Sequence, residues 1–128
     1  MTPDFLSLAE VLEIHRDQIE RYGGKTGIRD LGLLQSALAM PAAGFGNRYL
    51  HGDLFEMAAA YLFHIVRNHP FVDGNKRTGA VAALVFLSLN GMEIEASEDI
   101  FEQTVRAVAE GNTDKSAIAE FFRGHLAG

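Results

Sequence analysis

An imidazole, a carboxylate, a glycine, a carboxamide and two cations fall within the nine residues His69-Pro-Phe-Val-Asp-Gly-Asn-Lys-Arg77. That composition is odd for a mere connection, and its members suit one kind of ligand, a phosphate. Gly74 lets the backbone approach a ligand with no side chain in the way. A helix starting near Asn75 would present free N–H groups to an anion. Lys76 and Arg77 add positive charge at that same end, where cations work against the helix dipole. A bound anion explains such a placement better than helix stability does. Asp73 is a hard oxygen ligand suited to Mg²⁺ bridging phosphates, and the His69 imidazole could take a proton from an attacking hydroxyl. The plain alternative is that Pro70-Phe71 turns the chain, Asp73 caps a helix and the cations are solvated. Spacing alone leaves the two readings even, since short motifs match by chance.

Capping signals divide the rest of the chain into the helices that must position this segment. Ser7 and Glu10 have capping-box spacing, and Leu8, Val11, Leu12, Ile19 and Tyr22 form one apolar stripe after them. Gly23-Gly24 stops that helix, and the glycine-rich stretch from Gly23 to Arg29 reads as a mobile loop. Asp30 caps a second helix that Pro41 closes, and 42–52 reads as loose and partly irregular. Asp53 with Glu56 opens a helix to about Asn68, burying Phe55, Ala58, Ala59, Leu62 and Val66. After the short loop, Asn75 to Leu89 reads as a nearly all-apolar, central helix ended by Asn90-Gly91. Met92-Glu-Ile-Glu95 is expected to be a short extended β segment. Ser97 opens a helix ending at Gly111, and Thr113 or Asp114 opens the last. The expected fold is one all-α domain over residues 1–128, a compact bundle with the loop between two central helices.

Bulk properties narrow the function classes. The 128 residues are 48% hydrophobic and 22% charged, as in an ordinary globular protein. There is no cysteine, so no disulfide and no thiolate metal site. The N-terminal residues show no secretion signal, and the apolar run Ala80 to Leu89 is too short to span a bilayer, so a cytoplasmic location is expected. A formal charge of −6 with scattered cations disfavours nucleic-acid binding. That argues against a nuclease, while a small phosphate ligand at one basic spot fits.

His-Pro-Phe-x-Asp-Gly-Asn-Lys-Arg resembles the Fic/Doc signature, in which His-x-Phe-x-(Asp/Glu)-Gly-Asn-(Gly/Lys)-Arg joins two helices. Arg21-Tyr-Gly-Gly24, Gly27-Ile-Arg-Asp30 and the total length also resemble the Doc (death-on-curing) toxin family. The resemblance implies His69 as general base toward a protein hydroxyl and Asp73 as the Mg²⁺ ligand. It implies that Gly74, Asn75, Lys76 and Arg77 cradle the phosphates of ATP or another nucleoside triphosphate, Arg77 also stabilising the transferred charge. Phe71 would anchor the loop in the core. Fic adenylyltransferases usually carry a second glycine where this chain has Lys76. In Doc-type members lysine stands there, and the nucleotide is inverted to present its γ-phosphate. The implied activity is therefore phosphorylation of a Ser or Thr hydroxyl, with elongation factor Tu as the expected target and arrested translation as the result. AMP transfer is the alternative, and a non-catalytic binding module on the same fold is the second. The resemblance also implies a separate antitoxin that lays a helix across an apolar groove.

Other signals are weaker. Gly24-Lys-Thr26 looks like the end of a P-loop, but Ile19 stands where that motif needs glycine, so Gly23 to Arg29 reads instead as a flap beside the site. His15, His51, His64 and His125 lack metal-site spacing, and His64 reads as a core or boundary residue. Arg67 is an accessory candidate, equally suited to a phosphate or to a surface carboxylate. Glu110-Gly111 is similar to an inhibitory Fic helix, but Arg106 stands where that pattern needs Ser or Thr, so no internal brake is expected.

Overall fold

A computed structural model describes residues 2–128. Its elements run α1 (Leu8–Tyr22), α2 (Leu31–Ala39), β1 (Gly44–Phe45), β2 (Arg48–Tyr49), α3 (Leu54–Asn68), α4 (Asn75–Leu89), α5 (Glu98–Ala109) and α6 (Lys115–Gly124). Five of the six helices start on the side-chain oxygen of a capping residue: Ser7, Asp30, Asp53, Ser97 and Asp114. Each accepts an N–H that the first helical turn leaves unpaired. Ser7 and Glu10 close the full capping box, and Asp114, not Thr113, starts α6.

Helix α3 is the hub, packing on α2, α4, α5 and α6, while α1 lies against α4. Its buried residues Met57, Ala58, Leu62, Ile65 and Val66 occupy more than one face, as a central helix requires. Gly79 sets how near α4 can come. A β-carbon there would lie 2.9 Å from Val66 Cγ2 and 3.3 Å from the Leu62 carbonyl oxygen. Glycine costs about 1 kcal/mol of helix propensity relative to alanine, and the close α3–α4 contact offsets it. At the opposite end of α3 from the loop, Arg123 of α6 pairs with Asp53 at 2.8 Å.

The extended pieces differ from expectation. The only strand pairing among the described residues is the hairpin Gly44–Tyr49, in the stretch read as loose. Gly46 turns it with a φ of 62°, and a side chain on Gly44 would collide with the Arg48 carbonyl. Ile94 makes just an isolated bridge to Leu126. Among the described residues no helix is long and apolar enough to cross a membrane.

His64 is a half-buried boundary residue, as its place on the helix suggests. Its Nε2 lies 3.1 Å from Lys115 Nζ, so the ring accepts from the ammonium and must be neutral. Burial, then Lys115 and His51, push its pKa from 6.5 down to about 4. Burial and Lys115 lower His51 as well. Both histidines bind protons more readily when unfolded, so their stabilising effect is complete above about pH 6.5 and falls away as the pH drops, for His64 down through about 4. The melting temperature should therefore decline through that window, and His64→Gln should flatten the decline; melts at stepped pH check this.

Candidate active site

The loop between α3 and α4 is shaped by its own backbone and by three anchors. His69 caps α3 with φ 51° and ψ 53°, the single non-glycine residue at positive φ among those described. Left-handed backbone costs an L-residue roughly 1–2 kcal/mol, so surrounding contacts must hold it there. Phe71 is fully buried and stacks on His15 of α1, the ring centroids 3.8 Å apart and the planes 6° from parallel. His15 Nε2 donates to the Asp73 carbonyl oxygen at 2.9 Å.

Asn75 is the third anchor. Its buried carboxamide accepts the Phe71 N–H at 2.9 Å and donates to the Phe71 carbonyl at 3.0 Å. Those two bonds fix which end of the amide is nitrogen. The same Nδ2 lies 2.9 Å from His69 Nδ1 and so donates to it. A neutral His69 thus carries its proton on Nε2. For the ring to take a proton at Nδ1, Asn75 must release it, so the observed contact belongs to a resting site.

The expected phosphate cradle begins at Gly74, whose φ of 77° suits glycine. Helix α4 alone among the six starts without a side-chain cap. Its first N–H groups are left for another acceptor, and Lys76 is exposed beside them. Arg77 is turned away: its Nη2 donates to the Gly23 carbonyl at 2.9 Å, and the guanidinium sits 5.6 Å from the Tyr22 ring centroid.

Asp73 is exposed and accepts the N–H groups of Lys25 at 3.2 Å and Gly74 at 2.9 Å. The Lys25 bond above all, then the Gly74 bond, holds its pKa below the usual carboxylate value. An ionised carboxylate fits Mg²⁺, which binds through one or two carboxylates together with substrate phosphates. The described residues hold no cluster of three metal-binding side chains, so an ion on Asp73 would draw its remaining ligands from water or a bound phosphate. Asp73→Asn leaves the Lys25 or the Gly74 N–H facing an amide nitrogen, so it should lower the melting temperature a little. If Asp73 holds Mg²⁺, the substitution should also cut transfer by at least about 100-fold, checked by melts and turnover rates.

The segment from Gly23 to Arg29 lies against this loop as a flap. Ile28 and Phe71 form an antiparallel bridge, and Val72 N–H donates to the Gly27 carbonyl at 3.0 Å. Gly24 permits the approach, for a side chain there would come within 2.7 Å of Asp73 Oδ2.

Residues 5–87 match the model of the Fic/DOC family, a span that runs from α1 through nearly all of α4 and includes the loop. The chain belongs to the Fic/DOC family. It is 39% identical over 108 residues to "Toxin Doc" of Mycolicibacterium smegmatis, covering 83% of both chains. It is 36% identical over 118 residues to "Protein kinase doc" of Escherichia phage P1, covering 92% of both. The helical bundle and the loop between α3 and α4 are thus a Fic/DOC arrangement.

His69, Asp73, Gly74, Asn75, Lys76 and Arg77 all lie at one end of the α3–α4 pair. Arg67 does not join them. Its Nη1 donates to the carbonyls of Ala109 at 3.2 Å and, more weakly, Val108 at 3.4 Å, closing the C-terminus of α5. A cation satisfying terminal carbonyls is a structural arrangement that needs no phosphate. Glu110 caps α5 and Gly111 follows at φ 76°, so this pair ends a helix. His15 was not identifiable as a site residue from sequence. Its place at the first helix's buried face was the one available signal.

Proposed function

We propose that this Fic/DOC chain is a Doc-type toxin kinase, which moves the γ-phosphoryl group of ATP or another nucleoside triphosphate to a Ser or Thr hydroxyl of a target protein. The observation that carries this is the uncapped start of α4 beside Asp73 and His69, in a bundle whose other helices are all capped. The N–H groups of the first turn, with Lys76 and, once freed from Gly23, Arg77, would receive the phosphates. Asp73 would hold Mg²⁺, which when bound neutralises phosphate charge.

His69 then accepts the hydroxyl proton as the hydroxyl oxygen bonds to the γ-phosphorus. The bond from that phosphorus to the bridging oxygen breaks, and the nucleoside diphosphate leaves with the electron pair. Positioning and charge stabilisation do most of the work in such a transfer. Lys76 favours phosphoryl over AMP transfer, because a long side chain stands where a second glycine would admit the α- and β-phosphates. The similarity to a protein named as a kinase supports the same choice. Elongation factor Tu is the proposed target and arrested translation the outcome, with a cognate antitoxin as binding partner.

Purified protein incubated with a cell lysate and either γ-labelled or α-labelled ATP tests this reading. Label should reach protein from the γ-position alone. Transfer from the α-position would instead make the chain an adenylyltransferase.

A further inference from the structure

Resting on the reading of His69 as the base, we propose that Arg29 is its positioning residue, a guanidinium clamp that fixes the base from the main-chain side. Helix α3 ends at Asn68, and the last carbonyls of a helix have no partner within it. Arg29 supplies two. Its Nε donates to the His69 carbonyl at 2.6 Å and its Nη2 to the Asn68 carbonyl at 3.0 Å. The next carbonyl, Pro70, accepts the backbone N–H groups of Arg29 at 2.7 Å and Asp30 at 3.0 Å. Three consecutive carbonyls across the left-handed turn are therefore held by two adjacent residues, Arg29 at the end of the flap and Asp30 just after it.

The clamp is itself fixed. Asp30 caps α2 by accepting the Leu33 N–H at 2.9 Å, and Asn68 Nδ2 donates to the Leu33 carbonyl at 3.0 Å. Arg29 thus sits at the joint where the start of α2 meets the end of α3. It pairs with no carboxylate among the described residues; the arginines that do are Arg21, Arg106 and Arg123. Its charge complements the α3 dipole, and its planar fork reaches two carbonyls at once, which an ammonium cannot reproduce. The Arg29 guanidinium donates to main-chain carbonyls and not to the imidazole ring. It acts through the backbone of His69, while Asn75 holds the ring from the other side.

Arg29→Ala and Arg29→Lys test the assignment, using melting temperature, kcat and KM for the nucleotide, and the ¹⁵N signals of the His69 ring. In the parent chain the ring should show the tautomer protonated at Nε2. Arg29→Ala should lower kcat about 10- to 100-fold with KM held within about twofold, as for a base displaced by a fraction of an ångström. Its ring signals should shift toward a mixture of tautomers in protein that remains folded. Arg29→Lys should recover the melting temperature but only part of kcat. If Arg29→Ala loses activity only in step with its folded fraction, or keeps the parent's ring signals and rate, Arg29 is merely a helix cap and the proposal is overturned. Should the parent chain transfer no phosphoryl group at all, the proposed function fails, while the ring signals still decide whether Arg29 positions His69.

Discussion

His69→Gly should all but abolish phosphoryl transfer and leave the fold intact. General-base catalysis by a placed side chain contributes about 10²- to 10⁴-fold, and the loop offers no second imidazole that faces outward. His15 is the nearest alternative, but it is buried, stacked on Phe71 and committed to the Asp73 carbonyl. Glycine is the sharper substitution because of the backbone. His69 sits at φ 51°, where glycine removes a strain of roughly 1–2 kcal/mol. The greater freedom of glycine in the unfolded chain returns roughly 0.5–1 kcal/mol of that. The melting temperature should therefore move little or rise slightly as turnover collapses. Single-turnover rates beside thermal melts check both halves, and a variant that kept turnover within about tenfold would remove His69 from the base's role.

The largest stability effect should come from Phe71→Ala. Phe71 is fully buried, and truncating such a ring costs about 3–5 kcal/mol in transfer energy and cavity. Domains are stable by roughly 5–15 kcal/mol, so a large share of the total is at risk. A fall in melting temperature on the order of 10–20 °C is expected. The loss also reaches the site, because the Phe71 backbone pairs with Asn75 and its ring supports His15. Transfer should drop even at temperatures where the variant remains folded. Phe71→Leu should restore much of the stability, since it refills most of the volume. A melting temperature within a few degrees of the parent's for Phe71→Ala would mean that the loop is not anchored through this ring.

What could be read from the sequence was local chemistry. Ser7, Asp30, Asp53 and Ser97 announced helix starts because a cap bonds an N–H only two or three residues away. The loop was legible for the same reason: Asn75 reaches Phe71 and His69 across four and six residues. His15 was hidden because its bond to Asp73 spans 58 residues and depends on how α1 packs on α4. Arg29, 40 residues from His69, was visible as part of a glycine-rich flap and of the family-like Gly27-Ile-Arg-Asp30, but with no sign of its partner. That flap was expected to be loose, yet Gly27, Arg29 and Asp30 share hydrogen bonds with Pro70 and Val72. Arg67 illustrates the converse. Two residues before His69 in sequence, it points to α5 because the helix rotates its side chain away from the loop.

The flap also bears on nucleotide entry. Asp73 is bonded to Lys25 N–H and Arg77 to the Gly23 carbonyl, so the two side chains expected to meet metal and phosphate both hold the same end of the flap. Turning the Arg77 guanidinium onto a nucleotide would give up its bond to that end, while the Arg29 end has its own ties to the base of the loop.

Phosphoryl transfer through His69, as proposed, would leave its mark on a target protein. Mass analysis of proteins from cells expressing the parent chain or His69→Gly tests it most directly. A Ser or Thr residue should carry one added phosphoryl group with the parent chain and be unmodified with the variant. An added adenylyl group, or the same phosphorylation in cells expressing His69→Gly, would contradict it.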